Sequence, residues 1–252
     1  MQILSDADFI RYQRQVALSE VGEQGQSLIL KSKVLVFGCG GLGSVVTSYL
    51  IGAGIGTLKI VDHDYIDISN LHRQLTYRES DIGQSKSKTL RSYLKKRNSS
   101  AKIKDIDQPL AGDQLSLEVM LADVVVDCTD NFPSRHKLNR VCHHHQTPLV
   151  SGSAAGWSGQ FSVYRYLKKD SPCYECLYPN DTVPTKESCA SMGVMGPVVS
   201  LIGSLQALAV IRLLINQHCN NDDSKLTVVS GLNLSFETFR FEQDPSCGTC
   251  LN

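Results

Sequence analysis

The fold is decided by the segment Lys33-Val34-Leu35-Val36-Phe37-Gly38-Cys39-Gly40-Gly41-Leu42-Gly43. Its apolar run is typical of a buried parallel strand. The residues that follow fit the pattern G-x-G-x-x-G and lead into a helical stretch from about residue 42 to 51. Such a loop lets the backbone approach a phosphate, while the helix N-terminus supplies N–H groups. The segment therefore predicts a nucleotide site; a tight turn without a ligand is the alternative.

An acidic residue ends the next predicted strand, which covers residues 57–61. Asp62 lies nineteen positions after Gly43, where a carboxylate can accept hydrogen bonds from ribose hydroxyls. These features indicate an adenine nucleotide. They do not distinguish NAD from ATP, since both molecules contain ribose and phosphates.

The remaining pattern predicts an α/β fold with a Rossmann-like, doubly wound and mostly parallel sheet. Predicted strands and intervening helices form β-α-β units, and alternating segments further on predict an antiparallel extension. We expect one continuous domain, 1–252, with a helical segment 1–32, a nucleotide-binding core 33–152, a long loop at about 167–192 and a C-terminal part 193–252. The predicted strands are 33–37, 57–61, 101–107, 123–127, 148–151, 160–164, 226–230 and 236–241.

Composition and charge exclude several classes of protein. The 252 residues include 25 Lys and Arg and 25 Asp and Glu, which argues against a general nucleic-acid binder. Residues 1–6 contain no basic and no apolar leader, and the nine cysteines are an odd number. We therefore expect a cytoplasmic protein whose cysteines serve metal or catalytic roles.

One segment is long and apolar enough to raise the question of a membrane span. Residues 193–211 contain no charged side chain. Its Ser and Gln side chains would need partners in lipid, and Pro197 suits a first helical turn. We predict a core helix beginning at Pro197 and no membrane association. The small residues Gly203, Ser204 and Ala207 permit close packing, including packing across a dimer interface.

Charged residues follow the second and fourth predicted strands. Arg73 and Lys86 could converge near phosphates, and cations suit a triphosphate better than the diphosphate of NAD. Taken alone, each is better explained as a solvated surface charge. Asp130, just beyond the fourth strand, is placed to hold Mg²⁺, which prefers carboxylate, water and phosphate oxygens. It could also cap the helix that begins near Phe132-Pro133, and both roles could hold.

Two C-x-x-C pairs predict a second site. Cys173 with Cys176 and Cys247 with Cys250 offer four thiolates for a tetrahedral Zn²⁺, which would be structural because no coordination position stays open. Two unrelated pairs, or a redox couple, are the alternatives. Cys189 stands apart at the end of the long loop, where a partly exposed thiol suits a nucleophile; alone, it is better explained as inert.

The order of these motifs resembles that of the ThiF/MoeB/HesA family, the bacterial E1-like adenylyltransferases, over nearly the whole chain. Residues 11–15 look like the family's opening motif, and the four paired cysteines look like its zinc site. Residues 193–197 and 203–207 look like the helix after its crossover loop. The family's ATP site is matched by Gly38, Gly40, Gly41, Gly43, Asp62, Asp64, Asn70, Arg73, Gln74, Lys86, Asp130 and Asn131.

The resemblance implies an activity: ATP-dependent adenylation of the C-terminal Gly-Gly carboxylate of a small ubiquitin-like sulfur carrier, with Mg²⁺ as cofactor and pyrophosphate as product. Asp130, Arg73 and Lys86 would be catalytic, together with Arg14, which would reach the phosphates of the neighbouring subunit in a homodimer. Cys189 matches the family's crossover-loop cysteine, which in the thiamine branch is linked to the carrier during sulfur transfer. Because the chain ends soon after the zinc pair, we expect a separate sulfur-donor protein.

Two segments bear on the branch of the family. Residues 153–160 and 196–199 look closer to the thiamine-pathway branch, which implies a ThiS-like carrier. The alternative is a MoaD-like carrier in molybdopterin synthesis. An NAD-dependent oxidoreductase and a non-catalytic carrier-binding scaffold are remote alternatives.

Overall fold

The computed structural model describes residues 3–167, 170–179, 193–215 and 225–251. Two short 3₁₀ helices, Ile68–Asn70 and Glu79–Asp81, lie between residues 61 and 86. The helices are α1 (Asp6–Val16), α2 (Gly22–Lys31), α3 (Gly41–Ala53), α4 (Lys86–Arg97), α5 (Gly112–Met120), α6 (Phe132–His145), α7 (Tyr174–Leu177) and α8 (Gly196–Leu214). The strands are β1 (Lys33–Phe37), β2 (Thr57–Val61), β3 (Lys102–Ile106), β4 (Val124–Asp127), β5 (Leu149–Ala155), β6 (Ser158–Tyr164), β7 (Lys225–Ser230) and β8 (Ser235–Arg240).

The strands form one sheet in the order β3-β2-β1-β4-β5-β6-β7-β8. The first five are parallel, and β6, β7 and β8 extend the sheet with antiparallel pairs. At the centre, Val36 pairs with Ile60 on one side and with Val126 on the other. The predicted doubly wound sheet with an antiparallel extension is confirmed. Its strand order reverses direction between β1 and β4, where open α/β sheets bind ligands.

The long apolar helix α8 packs against α3 and the sheet. At Gly203 a Cβ would lie 2.9 Å from the carbonyl oxygen of Leu42 and 3.0 Å from Cβ of Val45, so glycine lets the two helices touch. The close packing predicted for Gly203 is therefore made within the chain. Among the described residues, α8 is the one helix long and apolar enough to cross a membrane, and half of that stretch is buried in the fold.

The segment predicted as a long loop contains one helical turn. Helix α7 begins directly after Cys173, and the N–H of Cys176 donates to the carbonyl of Cys173 at 3.2 Å. This turn was not visible in the proline-rich pattern, because a four-residue helix has no measurable periodicity. Of the predicted loop, residues 168–169 and 180–192 lie outside the described residues.

The first turn of α3 requires glycine at one position. A Cβ at Gly43 would overlap the carbonyl oxygen of Gly38, whereas a Cβ at Gly52, near the end of the same helix, would meet only Arg97 Nε at 3.9 Å. We expect Gly43→Ala to lose about 2 kcal/mol or more of the free energy of unfolding, because backbone must move. Gly52→Ala is the matched control and should be neutral or stabilising by up to about 1 kcal/mol. Urea unfolding measures both, and equal midpoints for the two variants would contradict the close approach.

Candidate active site

A cleft of about 730 Å³ opens at the carboxyl ends of β1, β2 and β4. Its volume lies in the range of small-molecule sites, about 300 to 1,000 Å³. Helix α1 carries Arg14 as an exposed residue, and Arg14 is not among the residues that line the cleft; nor are Gly43 and Asn70. Cys189 lies outside the described residues. The predicted site residues that do line the cleft are Gly38, Gly40, Gly41, Asp62, Asp64, Arg73, Gln74, Lys86, Asp130 and Asn131.

The floor of the cleft is the glycine loop. Gly38 has φ +89°, and a Cβ there would lie 2.7 Å from the carbonyl oxygen of Cys128. The next turn opens α3, whose N-cap Gly40 has no side chain to satisfy the first N–H groups. A helix start of this kind can donate hydrogen bonds to an anion.

Asp62 supports the glycine loop from the end of β2. Its Oδ2 accepts from the N–H of Cys39 at 2.6 Å, and its Oδ1 accepts from the N–H of Asp64 at 2.8 Å. Burial raises the pKa of Asp62 above its usual range, while these two donors oppose that shift. Each carboxylate oxygen can accept a further bond, so the predicted ribose contact is compatible with the supporting role. The sequence did not indicate that supporting role.

Lys86 is a buried cation, so its alternative assignment as a solvated surface charge is wrong. Its side chain is 10% exposed, and its Nζ lies 2.9 Å from Oδ2 of Asp64, whose side chain is 60% exposed. Ser85 caps α4 by accepting from the N–H of Lys88, which places Lys86 in the first turn, beside the cleft. A desolvated ammonium paired with an exposed carboxylate can attract a second anion.

Two further polar side chains, Arg73 and Gln74, line the cleft. Arg73 is half-buried, and its Nη1 donates to the carbonyl of Ser69 at 2.9 Å and lies 2.8 Å from Nε2 of His72. Gln74 is buried, and its Oε1 has no hydrogen-bond partner among the described residues. A buried amide oxygen of this kind normally accepts a bond, so Gln74 is well suited to a ligand donor beside Gly40.

Asp130 is exposed to the cleft, and Asn131 caps the helix that follows. Oδ1 of Asn131 accepts from the N–H of Ser134 at 3.0 Å, so the alternative in which Asp130 caps this helix is wrong. Oδ1 of Asp130 accepts from Nδ2 of Asn131 at 3.3 Å. An exposed carboxylate beside a phosphate-sized cleft fits the oxygen ligands that Mg²⁺ uses.

The four paired cysteines meet in one cluster. Their sulfur atoms all lie within 4.8 Å of one another. The Sγ of Cys173 is 3.6 Å from that of Cys247, and Cys176 is 3.6 Å from Cys250. Tetrahedral Zn²⁺ with Zn–S bonds of about 2.3 Å requires S–S separations of about 3.8 Å, so the cluster fits this ion.

The cluster is separate from the cleft, because none of its four cysteines lines that cavity. Asn139 Nδ2 donates to Sγ of Cys173 at 3.4 Å, and the hydrogen bond with Cys173 lowers the pKa of Cys176 below the usual range of a thiol. Thiolates and amide donors to sulfur are typical of a structural metal site. The predicted pairing is thus geometrically sound, and zinc as the ion stays a prediction.

Sequence reasoning missed two charged residues of the cleft, Arg135 and Lys137. Arg135 is 4% exposed, lies in the first turns of α6 and lines the cleft. An arginine in a helix is usually solvated, and nothing in the local pattern distinguishes this one. Only its tertiary contacts do so.

Fold and cleft together define a nucleotide-binding α/β protein. The model of the ThiF family matches residues 12–249, and the chain belongs to this family.

Relatives extend over most of the chain. The Escherichia coli (strain K12) sulfur carrier protein ThiS adenylyltransferase is 37% identical over 98% of this chain and 97% of that protein. The Dictyostelium discoideum adenylyltransferase and sulfurtransferase MOCS3 is 40% identical over 95% of this chain, which spans 56% of that protein's length. The solved structure of E. coli MccB with MccA-N7isoASN has a TM-score of 0.84 at 24% identity, over 99% of this chain and 76% of that one. It supports the fold alone.

The buried ammonium of Lys86 generates a prediction for nucleotide affinity. Lys86→Ala should weaken ATP binding by about 10- to 100-fold, because charge-assisted hydrogen bonds contribute about 1.5 to 3 kcal/mol. Lys88→Ala is the matched control, since Lys88 lies in the same helix, is 66% exposed and pairs with Asp107 at 2.8 Å. Isothermal titration calorimetry compares the two, and equal affinities would rule out the phosphate contact.

The cysteine cluster generates a prediction for metal content. Cys176→Ser and Cys250→Ser should each lose bound zinc and lower the thermal midpoint, because zinc binding contributes to folding. Cys142→Ala, which removes a buried thiol outside the cluster, should keep its zinc. Elemental analysis of the purified proteins checks this, and stoichiometric zinc in both serine variants would refute four-thiolate ligation.

Proposed function

We propose that the protein is an E1-like adenylyltransferase that uses ATP to activate the C-terminal carboxylate of a small ubiquitin-like sulfur carrier. The observation that supports this most is the cleft, where the glycine loop, the cations Arg73 and Lys86 and the carboxylate of Asp130 surround one space. The proposal also agrees with membership of the ThiF family and with the name of the E. coli relative, a ThiS adenylyltransferase.

The chemistry matches these side chains. A terminal carboxylate is ionised at pH 7, so its attack on the α-phosphorus needs no general base. Its oxygen forms the new P–O bond, and the bond to pyrophosphate breaks. The residues must align the two anions and offset their charge, which is the role we propose for Arg73 and Lys86. Mg²⁺, held by Asp130, would neutralise charge on the departing pyrophosphate.

Further roles follow from the same proposal. Arg14 is exposed on α1 and outside the cleft of its own chain, which agrees with action on the phosphates of a second subunit in a homodimer. Cys189 would join the carrier during sulfur transfer, with sulfur supplied by a separate donor protein. Asn70, beside Arg73, is proposed to support the nucleotide site.

For the carrier we propose a ThiS-like protein of thiamine synthesis. The E. coli ThiS adenylyltransferase matches this chain along nearly the full length of both proteins, which supports that choice. A MoaD-like carrier is the alternative, because the MOCS3 relatives are about as similar where they align.

The test is ATP–pyrophosphate exchange with ThiS-like and MoaD-like carriers from the same genome. We expect exchange that depends on the ThiS-like carrier and falls about a hundredfold in Asp130→Ala, since a positioned charge is lost. Asp113→Ala, an exposed carboxylate on α5 outside the cleft, is the control and should keep the full rate.

The other outcomes separate the alternatives. Exchange with the MoaD-like carrier alone would assign the protein to the molybdopterin branch of the family. Carrier binding without exchange at saturating ATP would indicate a scaffold. Tight NADH binding without ATP binding would indicate an oxidoreductase. A wild-type rate in Asp130→Ala would contradict the proposed role of Asp130.

A further inference from the structure

The short connection between β4 and α6 contains a buried carboxylate that the proposed reaction does not use. Asp127 ends β4 and is 0% exposed. Its Oδ1 accepts from both the N–H and the hydroxyl of Thr129, at 3.0 and 2.6 Å, and its Oδ2 accepts from the hydroxyl of Ser151 at 2.8 Å. The carboxylate therefore links Thr129 to the end of β4 and to Ser151 within β5.

A buried cation holds the same residue from the other side. Arg135 donates from Nη2 to the carbonyl oxygen of Thr129 at 2.7 Å and from Nε at 3.3 Å. Buried charges are costly unless they are hydrogen-bonded. Here the anion accepts from the N–H and the hydroxyl of Thr129 and the cation donates to its carbonyl oxygen, so all three polar groups of Thr129 are engaged.

Helix α8 adds a third attachment. Gln206 is fully buried in this long, mostly apolar helix, and its Nε2 donates to the carbonyl oxygens of Asp127 at 2.9 Å and of Val150 at 3.3 Å. A Cβ at Gly152 would overlap the Gln206 amide, so the amide has little freedom to move. The backbone on both sides of Cys128 is thus held by β5, α6 and α8.

Asp130 is the next residue and contrasts with its neighbours. Its carboxylate is exposed and accepts a hydrogen bond of 3.3 Å from Nδ2 of the adjacent Asn131. The orientation of the Asp130 side chain therefore depends on the position of the backbone at Thr129. Packing alone does not explain this buried polar network, because apolar side chains of similar size could fill the same space at a lower desolvation cost.

We infer that Asp127, Thr129 and Arg135 form a positioning network that sets where the Asp130 carboxylate holds Mg²⁺·ATP. This inference rests on the proposed function. Thr129 and Arg135 line the same cleft as Asp130, but none of the three residues needs to touch the reacting atoms. Their effect reaches the ligand through the backbone that leads to Asp130.

The experiment measures ATP binding by calorimetry, once with saturating Mg²⁺ and once in EDTA, with no carrier present. In the wild type, Mg²⁺ should strengthen ATP binding. Thr129→Val keeps the size of the side chain and the N–H bond but removes the hydroxyl. It should reduce the Mg²⁺-dependent gain about tenfold, the expected effect of one hydrogen bond to a charged group, and leave the affinity in EDTA unchanged. Thr129→Ser restores the hydroxyl and should restore the gain.

A double-mutant cycle separates positioning from general damage. Once Asp130→Ala has removed the Mg²⁺-dependent gain, adding Thr129→Val should change nothing further, because both changes act through one carboxylate. If Thr129→Val proves too unstable to assay, Ser151→Ala is the substitute. It removes the hydrogen bond to Oδ2 of Asp127 and should reduce the Mg²⁺-dependent gain in ATP affinity about threefold.

Three results would overturn the inference. They are an unchanged Mg²⁺-dependent gain in Thr129→Val, an equal loss of affinity with Mg²⁺ and in EDTA, or additive losses with Asp130→Ala. A wild-type protein that binds no ATP under either condition would instead overturn the proposed function, and the inference with it.

Discussion

The close approach of backbone to backbone at the end of β1 is the constraint on which the remaining structure depends. Gly43 lies directly over the carbonyl of Gly38, and Gly38 lies against the carbonyl of Cys128. No side chain fits at either position, so β1, β4 and the start of α3 converge at one point. Asp62, which follows β2, stabilises this point by accepting a hydrogen bond from the N–H of Cys39. The cleft exists because the strand order reverses here and leaves the N–H groups of α3 facing open space.

The charged side chains around this point differ in how deeply they are buried and in what holds them. Lys86 is buried and paired with the exposed Asp64, so the ammonium is fixed before a ligand arrives. Arg73 is held by a backbone carbonyl, which preserves its full positive charge. Asp130 lines the same cleft and follows Thr129, whose polar groups are all hydrogen-bonded. Charges that are fixed in advance need no rearrangement when negative charge moves from the carboxylate to pyrophosphate. This preorganisation is the usual source of electrostatic catalysis.

Much of the architecture was predictable from local pattern. The run at 33–37 predicted its strand because central parallel strands are apolar on both faces, and the two C-x-x-C pairs predicted their cluster because four thiolates satisfy one ion. The burial of Lys86, the cap at Asn131 and the contacts of Arg135 were not predictable. Each depends on residues brought together by the fold, as when Gln206 meets Asp127. Local periodicity contains no information on such pairs.

The central claim is that this cleft joins a carboxylate to the AMP part of ATP. Incubation of the protein and its carrier with ATP labelled at the α-phosphate, in parallel with ATP labelled at the γ-phosphate, tests it most directly. The account predicts that α-label appears on the carrier at its C-terminal carboxylate, while γ-label is released as pyrophosphate. Transfer of γ-label to the carrier with formation of ADP, or no label on the carrier from either nucleotide, would contradict it.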